Sequence, residues 1–155
     1  MAIVYRVPSD IEAVGSDFLE EMTIGTDRMI PVYNTQLPEL AQDNMSGIKL
    51  PIVTYPSDVF LGQVMEREIL PLLSPALHPV PKVETALTLA AAEMAAIGIG
   101  VARVPESLAH DRLATGFLFY LSEMLPAYDL QVIAMRVQGT PNTAEGILWS
   151  QLQPI

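Results

Sequence analysis

The sequence predicts an α/β fold. Short runs rich in β-branched and aromatic residues, such as 29–33 and 51–55, alternate with longer segments that have the apolar period of a helix. Half of the 155 residues are hydrophobic, so the chain is able to bury a sizeable core. Only 17% of the residues are charged, which argues against a disordered chain.

Several segments are predicted as strands because they are short and rich in β-branched and aromatic residues. The first, residues 2–5, is apolar at every position, which is typical of a strand buried in the middle of a sheet. Natural domains seldom begin on such a strand, so we expect the chain to be a fragment of a longer one. The other predicted strands are residues 29–33, 51–55, 99–104, 117–121 and 130–137.

Three helices are well marked, and a shorter one is expected between the strands 99–104 and 117–121. The first begins at Ser57 as its N-cap residue and runs to about Leu70, where a proline ends it. The second runs from about Thr85 to Ile97. The third starts at residues 140–141, a threonine followed by a proline. The prolines between residues 71 and 81 predict one long extended connection after the first helix.

Composition excludes several classes of protein. The chain has no cysteine, so disulfides and cysteine-based metal or redox sites are excluded, and a reducing cytoplasm is favoured. Eight basic residues against 18 acidic residues give a net charge of −10, which argues against direct nucleic-acid binding by this chain. Apolar runs end well before the roughly 18 residues of a membrane span, and no signal peptide is visible.

No motif supports an enzyme, a metal site or a cofactor. The glycines of Gly98-Ile99-Gly100 follow a helix and precede a strand, the reverse of a dinucleotide-binding loop. They instead predict a helix end at Gly98 and a close approach of the next strand to the helix at Gly100. His78 and His110 lack partners at metal-ligand spacing. The acidic pair Glu66/Glu68 is interpreted as part of a solvated face.

One turn is a candidate ligand site. Strand 51–55 ends at Tyr55, and Pro56 and Ser57 lead into the first helix. Ligands of open α/β sheets bind beyond the carboxyl ends of the strands, where helix starts present free N–H groups. Tyr55 would offer a hydroxyl and a flat face, and Ser57 a second hydroxyl. An ordinary capped strand–helix turn explains the same residues equally well.

The order of these pieces resembles the effector-binding domain of LysR-type transcriptional regulators. Residues 95–105, AAIGIGVARVP, resemble that family's A-A-G-x-G-I-A-x-L-P signature, and residues 51–57, PIVTYPS, resemble its P-L-I-x-Y-P-S strand and turn. Residues 2–5 are similar to its D-x-A-I-V strand, and 18–21 with 29–32 to its hairpin. The likeness covers nearly the whole chain.

The resemblance implies a fold like that of type 2 periplasmic binding proteins, with an effector bound between two lobes. It implies one nearly complete lobe, residues 7–126, and a remnant of the other lobe in residues 1–6 and 127–155. The chain departs from the family because the N-terminal winged helix-turn-helix is missing. By resemblance, the residues that face the effector are Tyr5, Arg6, Tyr55, Pro56, Ser57, Phe60 and Thr85.

We therefore expect the small-molecule sensor of a LysR-type regulator, with a small anionic or polar effector, a homo-oligomer and a cytoplasmic location. DNA would be bound only through a helix-turn-helix domain outside this chain, and no membrane is involved. Three alternatives remain open. They are a type 2 periplasmic solute receptor, which would need a signal peptide upstream, an enzyme on the same bilobal fold, and a remnant that only associates with partners.

Overall fold

The computed structural model describes residues 1–9, 18–34, 47–121, 125–139, 143–152 and 154. The chain divides into two compact units, Met1–Asp27 with Asp129–Ile155, and Arg28–Tyr128. The first contains the two ends of the chain and is called the terminal unit here; the second is called the central unit. The mixed α/β fold is confirmed. The predicted lobe boundaries, 7–126 against 1–6 and 127–155, stay a prediction.

Strands and helices alternate along the described residues. The strands are β1 (Ala2–Arg6), β2 (Leu19–Tyr33), β3 (Ile48–Thr54), β4 (Leu77–Glu84), β5 (Ala102–Pro105), β6 (Phe119–Tyr120) and β7 (Tyr128–Val137). The α-helices are α1 (Phe60–Val64), α2 (Thr88–Ala96), α3 (Glu106–Ala114) and α4 (Thr143–Gln151). A π-helical turn, Met65–Ile69, and a 3₁₀ turn, Leu70–Leu72, continue α1 without interruption, and residues 60–72 are called the helical segment below.

In the terminal unit, β1 pairs antiparallel with β7, and β7 lies between β1 and β2. Arg136 on β7 bonds Glu20 through Nε at 2.8 Å and lies 4.4 Å from the ring centre of Trp149, which holds α4 against the strands. The prediction that residues 2–5 form a buried central strand is wrong. β1 ends the order of described strands, and Ile3 is 57% exposed, because described residues flank β1 on one edge only.

In the central unit, β3 and β4 form a parallel pair whose register runs from Ile48 opposite Leu77 to Thr54 opposite Glu84. On the other side of β3, the amide of Val53 donates to the carbonyl of Val101 at 2.9 Å. Met29–Val32 within β2 pair antiparallel with β5, and the end of β2 pairs with β6. The parallel arrangement brings the carboxyl ends of β3 and β4 to the same edge.

Two helix starts differ from the prediction. The N-cap residue of α1 is Val59, not Ser57, because the amide of Val59 donates to the carbonyl of Pro56 at 3.1 Å and closes a turn before the helix. α2 starts at Thr88 instead of Thr85, because the amide of Leu87 donates to Thr85 Oγ1 at 3.1 Å in a turn of its own. The predicted start of the third helix at 140–141 lies outside the described residues.

Of the two glycines after α2, Gly98 has the predicted role and Gly100 has a slightly different one. Gly98 has a φ of 79°, and its amide donates to the carbonyl of Ala95 at 3.0 Å, which ends the helix as predicted. A Cβ at Gly100 would lie 2.8 Å from the carbonyl oxygen of Pro51. The close approach at Gly100 is therefore to β3, not to the helix.

The predicted extended connection after the helical segment contains a strand, since β4 includes Pro79 and Pro81. In the described part of the chain, no helix combines the length and the hydrophobicity needed to cross a membrane. Among the same residues, no cluster of three or more histidine or acidic side chains is suited to hold a metal ion.

Candidate functional site

A cavity of about 440 Å³ lies within the central unit, against one face of the β3–β4 pair. We call it the acidic cavity, for reasons given below. Its walls come from β3 and the turn after it, from β4, and from the helical segment. The lining residues are Ile52, Thr54, Tyr55, Ser57, Gly62, Met65, Glu66, Leu70, Pro79, Pro81 and Glu84.

The periods of strand and helix explain this lining. Ile52 and Thr54 are two residues apart on β3 and share one face, as do Pro79 and Pro81 on β4. On the helical segment, the lining positions 62, 65, 66 and 70 follow the spacing of one helix face. The cavity therefore lies between one face of a parallel strand pair and one side of a helix, and it is open to solvent, since Glu66, Pro81 and Glu84 are exposed.

Gly62 determines how closely the helix approaches the turn after β3. A Cβ at this position would lie 1.9 Å from the carbonyl oxygen of Pro56 and 3.2 Å from that of Tyr55. Any side chain would therefore push the helical segment away from the turn. The floor of the acidic cavity depends on glycine at this position.

Tyr55 lies in the cavity wall, but its hydroxyl is used inside the protein. The side chain is 5% exposed, and its hydroxyl donates to the carbonyl of Arg103 at 2.8 Å. Burial raises the pKa of the Tyr55 hydroxyl above its ordinary value, and a hydrogen bond with the Thr88 side chain lowers the pKa by less. The phenol is therefore neutral, and its proton already has an acceptor within the fold.

The strand ends next to Tyr55 are joined by local hydrogen bonds. The amide of Thr85 donates to the carbonyl of Thr54 at 3.0 Å, and Thr54 Oγ1 donates to the carbonyl of Val83 at 3.2 Å. These bonds hold the carboxyl ends of β3 and β4 side by side. This edge is where ligands bind in parallel α/β sheets.

The charge of the lining is negative. Glu66 on the helical segment and Glu84 at the end of β4 are the acidic residues of the lining, and both are exposed; the described residues that line the cavity include no lysine or arginine. Thr54 and Ser57 add hydroxyls, and the other walls are apolar. Such a lining attracts an ammonium or guanidinium group and repels an anion.

The structure brings some of the predicted site residues together. Tyr55 and Ser57 line the acidic cavity, Pro56 belongs to the turn between β3 and α1, and Phe60 is the first residue of α1. Thr85 bonds to Thr54, which also lines the cavity.

The other two predicted residues belong to the terminal unit. The Tyr5 hydroxyl donates to Asp27 Oδ2 at 2.9 Å, and Arg6 Nη2 pairs with Glu21 Oε2 at 2.7 Å. A role of Tyr5 and Arg6 in ligand binding stays a prediction.

Sequence reasoning missed the two acidic members of the cavity. The sequence analysis assigns Glu66 to a solvated face, and this residue is indeed exposed, but it also lines the cavity; Glu84 is expected to lead into the second helix and is not predicted as a site residue. Residues 77–84 carry no clear strand signal, because their apolar residues other than proline, Leu77, Val80 and Val83, are three positions apart and do not alternate.

Comparison with known proteins shows similarity at the level of structure. No protein-family model matches the sequence, and no curated protein sequence matches it. The structure is similar to that of VV2_1132, a LysR family transcriptional regulator, with a TM-score of 0.79 and 24% identity over 97% of this chain and 50% of that one.

Two other regulators show the same similarity. The regulatory domain of HypT from Salmonella typhimurium in its apo form matches with a TM-score of 0.74 and 16% identity, over 96% of this chain and 68% of that one. Full-length LysG from Corynebacterium glutamicum, with its effector Arg bound, matches with a TM-score of 0.67 and 16% identity, over 90% of this chain and 47% of that one.

The chain spans about half the length of the full-length regulators it matches. At these identities the comparisons establish the fold. The predicted resemblance to LysR-type regulators is thus confirmed in the structure, and the chain has the fold of their regulatory domains.

Proposed function

We propose that this chain is the small-molecule-sensing part of a LysR-type transcriptional regulator, and that the acidic cavity is where it binds its effector. The observation that carries the proposal is the position of this cavity at the carboxyl ends of two parallel strands. Its volume of about 440 Å³ is within the range of small-molecule sites. The fold shared with regulatory domains supports the same role.

The lining favours an effector with a positively charged group. Glu66 and Glu84 would accept hydrogen bonds from an ammonium or guanidinium, and charge-assisted bonds of this kind are about twice as strong as neutral ones. The anionic effector considered from the sequence depended on a helix start at Ser57, and Ser57 precedes the N-cap residue by two positions. LysG of Corynebacterium glutamicum, whose effector is Arg, offers a precedent within this fold.

The apolar part of the effector would contact the side chains on the cavity-facing side of β3 and β4. Ile52, Pro79 and Pro81 offer a flat apolar face, and Met65 and Leu70 cover it from the helical segment. Tyr55 would contribute its ring, since its hydroxyl proton is bonded to Arg103. Of the predicted residues, Pro56, Phe60 and Thr85 would shape the entrance without bonding the charged group.

The proposal extends to the whole regulator. With a net charge of −10, this chain would leave DNA contacts to a different part of the protein. Vibrio fischeri DarR, which shares this fold over 49% of its length, is described in complex with DNA. We propose a homo-oligomer in the cytoplasm, in line with the sequence expectation.

A panel of small ligands tests the charge preference. We expect arginine, lysine or a short diamine to raise the melting temperature and to bind measurably by calorimetry, whereas succinate and benzoate do not bind. At a ligand concentration of one hundred times Kd, the stabilisation should reach about 2.7 kcal/mol. The double variant Glu66→Gln/Glu84→Gln should bind the cation at least about tenfold more weakly, a loss of about 1.4 kcal/mol.

Asp111→Asn is the matched control. Asp111 is exposed on α3 and lies outside the cavity, so this variant removes one negative charge without changing the lining. It should bind cations as the unmodified protein does. Stabilisation by succinate or benzoate, or equal cation binding by the double variant and the unmodified protein, would contradict the proposal.

A further inference from the structure

The lining of the acidic cavity offers more hydrogen-bond acceptors than donors. The acceptors are the carboxylates of Glu66 and Glu84, both on exposed residues, and an ionised carboxylate accepts hydrogen bonds without donating any. The side chains of the described lining that could donate are the hydroxyls of Thr54, Tyr55 and Ser57. What these hydroxyls bond within the protein therefore restricts the chemistry of an effector further than charge alone.

Two of the three hydroxyls already donate within the fold. The Tyr55 hydroxyl donates to the carbonyl of Arg103 at 2.8 Å, and Thr54 Oγ1 donates to the carbonyl of Val83 at 3.2 Å. The hydroxyl of Ser57, an exposed residue, is left as a neutral donor. An effector would therefore meet one neutral hydroxyl donor and two charged acceptors among the lining side chains that the structure describes.

The backbone around the cavity has also lost donors. Pro79 and Pro81, which line the cavity on β4, have no N–H group. The amide of Thr85, just after β4, donates to the carbonyl of Thr54 at 3.0 Å, and the amide of Val59 closes the turn before α1 at 3.1 Å. The turns at the two strand ends thus use these amides to hold the fold together.

A ligand carboxylate is disfavoured in this cavity for two reasons. Glu66 and Glu84 repel it, and it exchanges its hydration for a lining with few donors. A cationic group gains from the same two carboxylates, because charge-assisted hydrogen bonds are the strong ones. Since every α-amino acid carries a carboxylate, an amine without one suits this lining better than the amino acid with the same side chain.

The two glutamates lie on different walls of the cavity. Glu66 belongs to the helical segment, and Glu84 is the last residue of β4. The lining also contains the apolar side chains of Ile52, Met65 and Leu70. A ligand with two cationic ends joined by an apolar chain matches this arrangement, since each end can bond one carboxylate while the methylene groups contact the apolar walls.

We propose that the effector class of the acidic cavity is a dication without a carboxylate, such as an aliphatic diamine or an aminoalkyl guanidine. The proposal rests on the function proposed above for this cavity, and it narrows the cationic effector to one chemical class. Glu66 binds one cationic end and Glu84 the other. A free amino acid such as arginine or lysine enters the cavity at a disadvantage, because its carboxylate finds no basic partner among the described lining residues.

Calorimetry on the full chain, at constant pH and ionic strength, tests the proposal with matched ligands. Lysine is cadaverine with a carboxylate added, and pentylamine is cadaverine with one amine removed. Cadaverine should bind at least about tenfold more tightly than either. Agmatine and argininamide should both bind more tightly than arginine. Because argininamide is as large as arginine, its gain would come from the lost charge and not from size.

Single substitutions test whether each glutamate binds one cationic end. In Glu66→Gln and in Glu84→Gln, the advantage of cadaverine over pentylamine should fall to less than about threefold. Asp58→Asn is the matched control. Asp58 is exposed in the turn after β3 and lies outside the lining, so this variant removes one negative charge near the cavity without changing its walls. The advantage of cadaverine should persist in this variant.

The possible failures are distinguishable. If lysine binds as tightly as cadaverine, or pentylamine does, and Glu66→Gln/Glu84→Gln abolishes that binding, this proposal is overturned and the cationic effector of the acidic cavity stands. An equal loss in Asp58→Asn and in the glutamate variants would also overturn it, because attraction to the net charge of −10 would then explain the preference. If no cation of the panel binds, the proposed function fails together with this inference.

Discussion

The two cavities of the central unit differ in size and in the sign of their charge, although the same helical segment forms a wall of each. The acidic cavity is about 440 Å³ and presents Glu66 and Glu84. The second cavity, called the Arg103 cavity here, is about 30 Å³, and the buried cation Arg103 is one of its wall residues. Residues 65, 66 and 70 face the first, and residues 68, 69 and 72 face the second.

The acidic cavity has the same sign of charge as the whole chain, whose net charge is −10. Because Glu66 and Glu84 are exposed, salt screens their attraction for a cation as well as the long-range field of the chain. We therefore expect cation binding in the acidic cavity to weaken as the ionic strength rises.

The largest expected effect comes from a substitution that displaces the helical segment, which forms a wall of both cavities. Gly62→Ala should lower the free energy of unfolding by about 3 kcal/mol, because its Cβ would overlap the backbone of Pro56. Denaturant unfolding measures the loss.

Gly25→Ala on β2 is the matched control, since its Cβ would have no contact closer than 3.6 Å, to Val132. It should change the free energy of unfolding by less than about 1 kcal/mol. Equal losses for the two variants would show that the close packing at Gly62 has no special role.

A smaller effect is expected at Tyr55, whose ring lines the acidic cavity and whose hydroxyl bonds the backbone of Arg103. Tyr55→Phe keeps the ring in the acidic cavity and removes the hydroxyl that bonds the backbone of Arg103. The free energy of unfolding should fall by about 1–3 kcal/mol, because a buried carbonyl loses its partner. Cation affinity should change little, because the ring stays in the cavity wall; calorimetry measures it.

Tyr33→Phe provides the control for this substitution. Tyr33 is half-buried and packs against Phe119 with ring centres 6.1 Å apart. Removing the Tyr33 hydroxyl should lower the free energy of unfolding by less than about 0.5 kcal/mol. A clear loss of cation binding in Tyr55→Phe would contradict the expectation that Tyr55 contributes its ring, and not its hydroxyl, to the acidic cavity.

The smallest effect concerns the helix start. Ser57→Ala should change the free energy of unfolding by less than about 0.5 kcal/mol, because Ser57 makes no capping hydrogen bond to α1. A true N-cap serine would cost about 0.5–2 kcal/mol. Ser74→Ala serves as comparison, since Ser74 Oγ accepts the amide of Ala76 at 3.3 Å. A loss above 1 kcal/mol in Ser57→Ala would indicate that the serine caps the helix after all.

Patterns that depend on neighbouring residues were predictable. Gly98 ends α2 as its position required, and the turn at residues 55–57 was found at the carboxyl end of a strand. Where two local hydrogen-bond patterns compete, the sequence did not decide between them. The helix starts three residues after Ser57 because the carbonyl of Pro56 binds Val59, an alternative that the sequence allows equally well.

The residues that line the acidic cavity were harder to predict than its position in the fold. Glu66 and Glu84 meet only because β4 pairs with β3, and the prolines of β4 made that segment resemble a connection. A signal for Arg103 was available, since it is the one charged residue in the apolar run 99–104. A charge inside a buried strand indicates either a partner across the sheet or a bound ion, and pairing across the sheet is a tertiary property.

The prolines of β4 also bear on the solubility of the chain. Pro79 and Pro81 lie two residues apart, so their nitrogens face the same edge of the strand, and neither carries a hydrogen to donate. Within a sheet, proline nitrogens face away from the paired neighbour. Among the described strands, β3 is the partner of β4, so the opposite edge of β4 lacks N–H donors at Pro79 and Pro81. A strand from another molecule would find no N–H donors at these two positions. The prolines therefore protect this edge of β4 from the addition of strands that leads to fibrils.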